Sequence, residues 1–287
     1  MGKSKVYFTK DITPEAVRKL YDALGITLPG KVAVKLHSGE VGNQNFIRPD
    51  FWQPVIAKVN GTIVECNTAY EGKRNTTELH WETMKQHGWT EIADVDILDA
   101  EGEMELSVED GKMIRKNYVG DHLKNYDSML VLTHFKGHPM GGFGGSLKNI
   151  SIGIASSHGK AYIHGAGDVE AFWNADHDSF LESMADAAKS IVQFFGGKMA
   201  YINVMKNMSV DCDCCAVAED PKMADIGILA SLDPAALDQA CVDLVYRSED
   251  PGKSHLIERM ESRNGIHIVE TAVEIGIGSR EYELVEI

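Results

Sequence analysis

The 287-residue sequence lacks the features of several common functional classes. Its net charge is −15 and no cluster of Lys and Arg dominates, which argues against nucleic-acid binding because phosphate contacts need concentrated positive charge. No run of about eighteen apolar residues occurs, so no membrane span is predicted. The residues after Met1 do not form the apolar region of a signal peptide. We therefore predict a cytoplasmic protein.

Cysteine is scarce and unevenly placed. Five cysteines are too few for the disulfide framework of a small secreted domain. Cys66 and Cys241 stand alone in apolar settings, where inert buried thiols are expected. Cys212 and Cys214, with Cys215 beside them, can share one face of an extended chain, and two thiolates plus a histidine would suit zinc or iron. The alternative is a polar loop with free cysteines.

The alternation of strand-like and helical patterns predicts an α/β fold with a mixed sheet, or sheets, flanked by helices. The predicted strands are Lys31–Leu36, Gly61–Cys66, Ser128–Thr133, Lys198–Val204 and Asp225–Leu229. The predicted helices are Pro14–Leu24, Thr76–His87, Asp178–Phe195 and Pro234–Tyr246. No linker marks a boundary, so residues 1–287 form a single unit, with candidate lobes at about 1–125 and 126–287 around a central cleft.

A segment rich in histidine, lysine and glycine follows the predicted strand Ser128–Thr133. From His134 to His164 there are four His, three Lys and no acidic residue, a local inversion of charge in an acidic protein. Loops at the carboxyl ends of strands bind ligands in α/β proteins. Imidazoles ligate metals or transfer protons, and Lys binds anions or carries a covalent cofactor. The alternative is a glycine-rich surface loop; a phosphate loop is excluded because Asn149 follows Lys148.

Three stretches of the sequence are distinctive, namely residues 35–43, residues 133–138 with 142–149, and residues 225–238. In these stretches the sequence resembles the uncharacterised Fe–S-centre family called domain of unknown function 362. Members of this family often carry an inserted ferredoxin-like segment with Cys-x-x-Cys-x-x-Cys spacing. The corresponding region here, Phe180–Phe195, contains no cysteine. An ordinary four-cysteine cluster is therefore not expected.

His138, Lys148 and His164 follow one another in an order and approximate spacing that distantly resemble the lactate racemase family. In that family the lysine covalently carries a nickel pincer nucleotide and the second histidine ligates the nickel. Arg48 lies in a stretch similar to an Asp-x-x-Arg motif of the racemases. Their other catalytic histidine has no counterpart near residues 68–74. The resemblance implies a racemase-like fold and a retained cofactor site with a changed acid–base pair.

These observations lead us to assign candidate roles. Acid–base catalysis is assigned to His134, His138 and His158. Cofactor or anion binding is assigned to Lys136, Lys148, Gly142, Gly144, Gly145 and Arg48. Metal ligation is assigned to His37, His164, Cys212 and Cys214, a structural hydrogen bond being the alternative for His37. We expect His134, His138, Lys148, His158 and His164 to converge on one cleft, with the cysteine cluster close to it.

The predicted function is that of an enzyme that depends on iron, zinc or nickel, or on a covalently bound metallocofactor. It would act on a small anionic hydroxy or oxo compound by isomerase or oxidoreductase chemistry. The alternative is a non-catalytic protein that holds a metal, an Fe–S centre or a cofactor for electron transfer or delivery. The expected partner is a small anionic ligand rather than nucleic acid or membrane, and a homodimer is a candidate assembly.

Overall fold

A computed structural model describes residues 3–287, in which strands and helices alternate along the chain. The strands are β1 (Ser4–Thr9), β2 (Val32–Lys35), β3 (Thr62–Glu65), β4 (Val95–Ile97), β5 (Glu103–Ser107), β6 (Lys116–Gly120), β7 (Ser128–His134), β8 (Lys136–His138), β9 (Gly142–Gly144), β10 (Met199–Met205), β11 (Gly227–Ser231) and β12 (Tyr282–Glu286). The α-helices are α1 (Pro14–Ala23), α2 (Pro49–Val59), α3 (Thr77–Gln86), α4 (Ser146–Ser151), α5 (Ser157–His164), α6 (His177–Phe195), α7 (Pro234–Arg247), α8 (Lys253–Ser262) and α9 (His267–Glu274). No helix among these residues is long and apolar enough to cross a membrane.

Eight strands form one mixed sheet in the order β12-β1-β11-β10-β7-β2-β3-β4. β11 runs antiparallel to both of its neighbours, and the other seven strands share one direction. The chain builds β2, β3 and β4 outward in sequence and then returns to place β7 on the other side of β2. The strand order therefore reverses between β2 and β7, where open α/β sheets form their ligand crevice beyond the carboxyl ends of the strands.

Helices cover both faces of this sheet because its central strands are apolar on both sides. Every residue of β7 is buried. Met129 and Val131 belong to the core cluster that includes residues of α4, α6 and α7, whereas Leu130 and Leu132 belong to the cluster that includes α1 and α2. The alternation of side chains along one strand thus divides the interior into two packed layers.

Helix starts follow the signals visible in the sequence. The Thr13 hydroxyl accepts the Ala16 N–H at the start of α1, and the Asp233 carboxylate accepts the Ala236 N–H at the start of α7. A proline occupies the first turn of both helices, where its missing N–H has no intrahelical partner to lose. Caps of this kind stabilise a helix by about 1 kcal/mol each.

The predicted mixed α/β fold is confirmed. The observed strands β2, β3, β7, β10 and β11 overlap all five predicted strands. Strands from both candidate lobes lie in the same eight-stranded sheet, since β2–β4 come from the first and β7, β10 and β11 from the second. The division into two lobes stays a prediction.

Candidate active site at the carboxyl edge of the sheet

A cavity of about 300 Å³ lies where β2 and β7 end, at the reversal of the strand order. Its charged and metal-ligating lining residues are Lys35, His37, Glu65, Cys66, Arg74, His134, Lys136, His138, Lys148, Lys160, His164, Cys214 and Cys215. His134, His138, Lys148 and His164 therefore converge as expected, and the cysteine cluster approaches them. Five of these lining residues are Lys or Arg and one is Glu, so the wall of the cavity favours an anion.

Two of the cavity's cations are neutralised by buried carboxylates. Lys35 Nζ lies 2.7 Å from Glu65 Oε2, and Arg74 Nε lies 3.2 Å from Glu40 Oε2. All four side chains are almost wholly buried. Burial raises the pKa of Glu65, but Lys35 together with His37, His80 and Arg74 outweighs it and holds the net pKa well below its ordinary value. These pairs form a charged floor under the cavity whose members must stay paired, because an isolated buried charge is very costly.

A third cation belongs to a network around Asp213. Lys136 Nζ lies 3.1 Å from Asp213 Oδ2, and His134 Nδ1 donates to Asp213 Oδ1 at 2.9 Å. His134 Nε2 donates to the Lys206 carbonyl at 2.6 Å, so both ring nitrogens are occupied. Burial raises the pKa of Asp213, but His134 and Lys136 outweigh it and lower the net pKa. The contacts of His134 thereby connect the end of β7 to the loop that contains Cys212, Asp213 and Cys214.

Lys148 and Lys160 are the cavity ammonium groups left without a carboxylate. Among residues 3–287, neither has an acidic group within 4.0 Å, in contrast to Lys35, Arg74 and Lys136. Lys160 Nζ donates to the Ala155 carbonyl at 2.5 Å. Lys148 lies on α4 and Lys160 on α5, so two separate helices direct positive charge to one space. A ligand carboxylate or phosphate can supply the missing counter-charge.

Three possible metal-ligating side chains meet beside these lysines. One donor atom each from His138, Cys212 and Cys214 lies within 4.8 Å of the other two. Cys212 and His138 are buried, whereas Cys214 is half-buried and lines the cavity. Two sulfurs and one imidazole nitrogen at this separation can converge on one ion with ligand bonds of about 2.0–2.3 Å after a small contraction.

The protonation of the two His138 ring nitrogens determines how a metal could bind at this group. Its Nδ1 accepts the Gly141 N–H at 2.8 Å and the Met140 N–H at 3.2 Å, so Nε2 carries the proton of the neutral ring. Burial and the nearby Lys148 lower the pKa of His138 to about 4, so the ring is neutral at pH 7. Binding a metal through Nε2 would move the ring proton to Nδ1 and end both backbone contacts.

The thiols need deprotonation before they can ligate. A hydrogen bond with Cys214, together with burial, raises the pKa of Cys212. The contact with Cys212 lowers the pKa of Cys214, but the contact with Cys215 and burial outweigh it and the net pKa is raised. The contact with Cys214 lowers the pKa of Cys215, which also lines the cavity. Cys66 and Cys241 are both buried, as expected for inert thiols, although Cys66 also lines the cavity.

His164 faces the cavity in an aromatic setting. Its ring stacks on Phe180 with centroids 4.6 Å apart and packs against Phe172 at 4.8 Å. Burial, followed by the charges of Lys148 and Lys160, lowers its pKa to about 3. Its Nδ1 is buried and has no hydrogen-bond partner among the described residues. A neutral imidazole with an unused polar atom can take up or release a proton when a ligand arrives.

Three residues assigned from sequence lie elsewhere. His158 lies outside the cavity, 2.8 Å from Glu103 and about half exposed, because it begins α5 on its solvent side. Arg48 is exposed and stacks over Phe46 at 3.8 Å. Gly142 has φ +77° and lies against Gly265, where an added Cβ would come within 2.8 Å of backbone. The structure therefore does not bring these three into the cleft.

The remaining glycines and His37 do line the cavity. Gly145 is required by the close approach of Asp238, whose carboxylate would lie 2.5 Å from an added Cβ. Gly144 packs against the Lys136 side chain. His37 Nδ1 accepts the Gly39 N–H at 3.1 Å, and burial followed by the charge of Arg74 lowers its pKa well below its ordinary value. His37 does not belong to the group formed by His138 and the cysteines.

The site assignment made from sequence missed the charged floor and Asp213. Lys35 and Glu65 end the otherwise apolar strands Val-Ala-Val-Lys and Thr-Ile-Val-Glu. A charged residue at the carboxyl end of a buried parallel strand is a signal that could have identified both. Tyr70, which lies against Cys214 and whose pKa is raised by burial, follows β3 in a loop without such a pattern.

The fold and the site define the class: a mixed α/β protein with a cationic, thiol-bearing cavity at the carboxyl edge of its parallel strands. The chain belongs to the family described as Domain of unknown function (DUF362), whose model matches residues 32–243. This confirms the family predicted from sequence, whereas the Fe–S centre attached to that prediction stays a prediction. No curated protein sequence matches the chain.

Two solved structures are similar to this chain. The lactate racemase apoprotein from Thermoanaerobacterium thermosaccharolyticum is 16% identical, with a TM-score of 0.47 over 81% of this chain and 55% of that protein. A protein from Thermotoga maritima is 12% identical, with a TM-score of 0.44 over 91% of this chain and 58% of that protein. The chain thus spans little more than half the length of either.

Proposed function

We propose that the protein is a metal-dependent enzyme acting on a small anionic hydroxy or oxo compound. The observation that carries the proposal is a group of three metal-ligating side chains, two of which line the cavity that also holds two ammonium groups without carboxylate partners. A metal alone would suit a structural site, and lysines alone would suit any anion-binding protein. Their combination suits a reaction at an oxygen atom next to a negatively charged group.

His138, Cys212 and Cys214 would hold the metal. Thiolate and imidazole ligands suit zinc, iron and nickel. Three protein ligands leave one coordination position for substrate, as in catalytic rather than structural zinc sites. A metal bound there would supply Lewis-acid chemistry toward a substrate oxygen.

Side chains of the cavity perform the other steps. Lys148 and Lys160 bind and orient the anionic group, and the paired Lys35, Arg74 and Lys136 add to the positive field. His164 is the proton acceptor in this proposal. Its pKa is depressed partly by Lys148 and Lys160, so a bound anion that neutralises these charges would raise it toward a useful range. Phe172 and Phe180 exclude water from the ring.

The non-catalytic alternative has one specific observation in its favour. Cys215 lies next to Cys214 and could close the coordination as a fourth ligand, which would give a saturated site suited to storage or electron transfer. Cobalt(II) substitution distinguishes the two, because the intensity of thiolate-to-cobalt charge transfer reports the number of thiolates. We expect Cys215→Ser to leave that intensity unchanged. A drop by one third would favour the carrier.

The metal site is tested by anaerobic titration with Zn²⁺ and competition against a chelator. Wild type should bind one equivalent, and Cys212→Ser or Cys214→Ser should weaken binding by more than about 100-fold, since even indirect loss of ligand support costs 10–100-fold. Cys241→Ala, a buried thiol on α7, is the matched control and should bind like wild type. Unchanged stoichiometry in the Cys212/Cys214 double variant would overturn the proposed site.

A further inference from the structure

A second cavity of about 220 Å³ adjoins the candidate active site. The two cavities share five lining residues, namely Pro139, Met140, His164, Phe172 and Trp173. They therefore lie side by side and are separated only by these side chains. Both lysines and two of the three proposed metal ligands line the first cavity, and the proposed function places no part of the ligand in the second.

The far side of the second cavity carries a guanidinium group. Arg263 lies in the turn after α8, and its Nε donates to the Pro139 carbonyl at 2.7 Å. His177 Nε2 donates to the Arg263 carbonyl at 2.7 Å and fixes its backbone. No carboxylate within residues 3–287 pairs with the Arg263 guanidinium, in contrast to Arg74. Its terminal nitrogens remain free to bind an anion in the bidentate manner that arginine favours.

A row of aromatic side chains lies between the first cavity and the second cavity. Trp173 packs edge-to-face on Phe172 with centroids 4.3 Å apart, and Phe172 in turn packs on His164 at 4.8 Å. Trp173 is 68% exposed, which is unusual for the largest apolar side chain. An exposed indole at the rim of two adjoining cavities offers apolar surface that a ligand can cover.

We infer that the substrate is an elongated dianion with an apolar middle, whose first anionic group binds Lys148 and Lys160 and whose second binds Arg263 past Trp173. This inference rests on the proposed function, because the first cavity supplies the reacting end. The two volumes, about 300 and 220 Å³, provide more space than a three-carbon hydroxy acid fills. Taken together, they fall within the range of about 300–1,000 Å³ that ligand cavities occupy.

The probe is a matched series of straight-chain acids. Butanoate, hexanoate and octanoate are compared with butanedioate, hexanedioate and octanedioate by calorimetric titration of the full-length, metal-loaded protein. We expect one dicarboxylate to bind about 10- to 100-fold more tightly than the monocarboxylate of equal length, the gain typical of an added charge-assisted contact. Equal affinities at every length would overturn the inference.

Substitutions test whether Arg263 causes the tighter binding of the dicarboxylate. Arg263→Gln should abolish the preference for the dicarboxylate and leave monocarboxylate binding unchanged, and Arg263→Lys should retain part of it. Arg18→Gln, an exposed arginine on α1, is the matched control and should behave like wild type. Trp173→Ala should weaken octanoate binding and leave butanoate unaffected. A dicarboxylate preference that survives Arg263→Gln would overturn the assignment.

Different outcomes of these titrations would refute the elongated dianion and the proposed function. Monocarboxylates that bind in a Lys148-dependent manner, with no gain from a second carboxylate, would refute the elongated dianion and support the anion site. A dicarboxylate gain that depends on Arg263 while Lys148→Gln has no effect would refute the proposed reacting end. Absence of binding by all six acids would refute both.

Discussion

Lys148 acts through its charge in the proposed site, because it lines the cavity half-buried and no carboxylate of the described chain neutralises it. Lys148→Arg should therefore keep most of the affinity for a carboxylate ligand, whereas Lys148→Ala should lose about 10-fold or more. Calorimetry measures both, with Lys189→Ala on α6 as a control lysine outside the cavity.

The covalent alternative at Lys148 makes a different prediction. A lysine that carries a cofactor would be modified in protein from the native host, whereas a charge-binding lysine would not. We expect the peptide containing Lys148 at its unmodified mass. A mass increase localised on Lys148, combined with loss of function in Lys148→Arg, would contradict our interpretation and favour the covalent metallocofactor.

The protonation of the candidate ligands fixes the pH dependence of metal binding. At pH 7 His138 is neutral, since its pKa is lowered to about 4, whereas the raised pKa values of Cys212 and Cys214 keep both thiols protonated. Two protons must leave when the metal binds. The apparent affinity for Zn²⁺ should therefore rise about 100-fold per pH unit between pH 6 and 8.

Chelator competition at several pH values measures this slope. A tenfold rise in affinity per pH unit, which corresponds to the loss of one proton, would mean that only one of the two thiols ligates. An affinity that does not change with pH would mean that neither cysteine is a ligand. Cys214→Ser should lower the affinity and should also reduce the number of protons released on binding by one.

At the scale of elements, helix α4 is held in place by an acid on helix α7. The Asp238 carboxylate accepts the Ser146 and Leu147 N–H groups at 2.8 and 2.9 Å and the Asn203 amide at 2.8 Å. These are the first residues of the helix that carries Lys148. Asp238→Ala would leave buried donors unsatisfied and should lower the free energy of unfolding by about 2–4 kcal/mol. Urea denaturation, with Asp243→Ala on the same helix as control, measures the loss.

Asp238 also imposes a pH dependence on stability. Burial raises its pKa to about 6, above the value of an exposed aspartate. Between the two values the folded protein binds a proton that the unfolded chain does not, so the free energy of unfolding falls as pH rises through about 6, by at most about 1.4 kcal/mol per unit. Asp238→Ala should lack this component; an identical pH profile in the variant would contradict it.

Local patterns were sufficient to predict five strands of the main sheet and four of the helices, but not the short helices α4 and α5 that carry Lys148 and Lys160. The apolar runs around β2 and β7, and the Thr13-Pro14 start of α1, predict strands and a helix within one or two residues of those observed. The sequence also indicated which segment lines the cavity, since the residues from His134, the last of β7, to Lys148 come at the carboxyl end of a buried strand. These are properties of contiguous residues.

Contacts between distant segments were not predictable in the same way. His158 precedes the second turn of α5, and only the rotation of that helix against β6 decides that it points toward Glu103. The pairing of His134 with Asp213 joins residues 79 positions apart. Which histidine meets the cysteines likewise depends on the packing of the β8–β9 hairpin, which selects His138 over His37 and His164.

At the scale of the whole molecule, one sheet positions every part of the site. The parallel strands β2, β3 and β7 end at the same edge, so the charged floor from β2 and β3 and the histidines after β7 reach one cavity. Helix α7 follows the single antiparallel strand β11, and its Asp238 holds the start of helix α4 on the other side of the cavity. The position of the cavity therefore follows from the reversal of strand order between β2 and β7.

The Gly141 N–H that His138 accepts has a thermodynamic consequence. Its loop contributes Pro139 and Met140 to both cavities, so an ion that reverses the His138 tautomer must also rearrange their common wall. Metal affinity and anion affinity would then be linked, and each ligand would change the binding constant of the other by the same factor. Equal factors in the two titrations, with a change in the Gly141 amide resonance on zinc addition, are the expected result of this linkage.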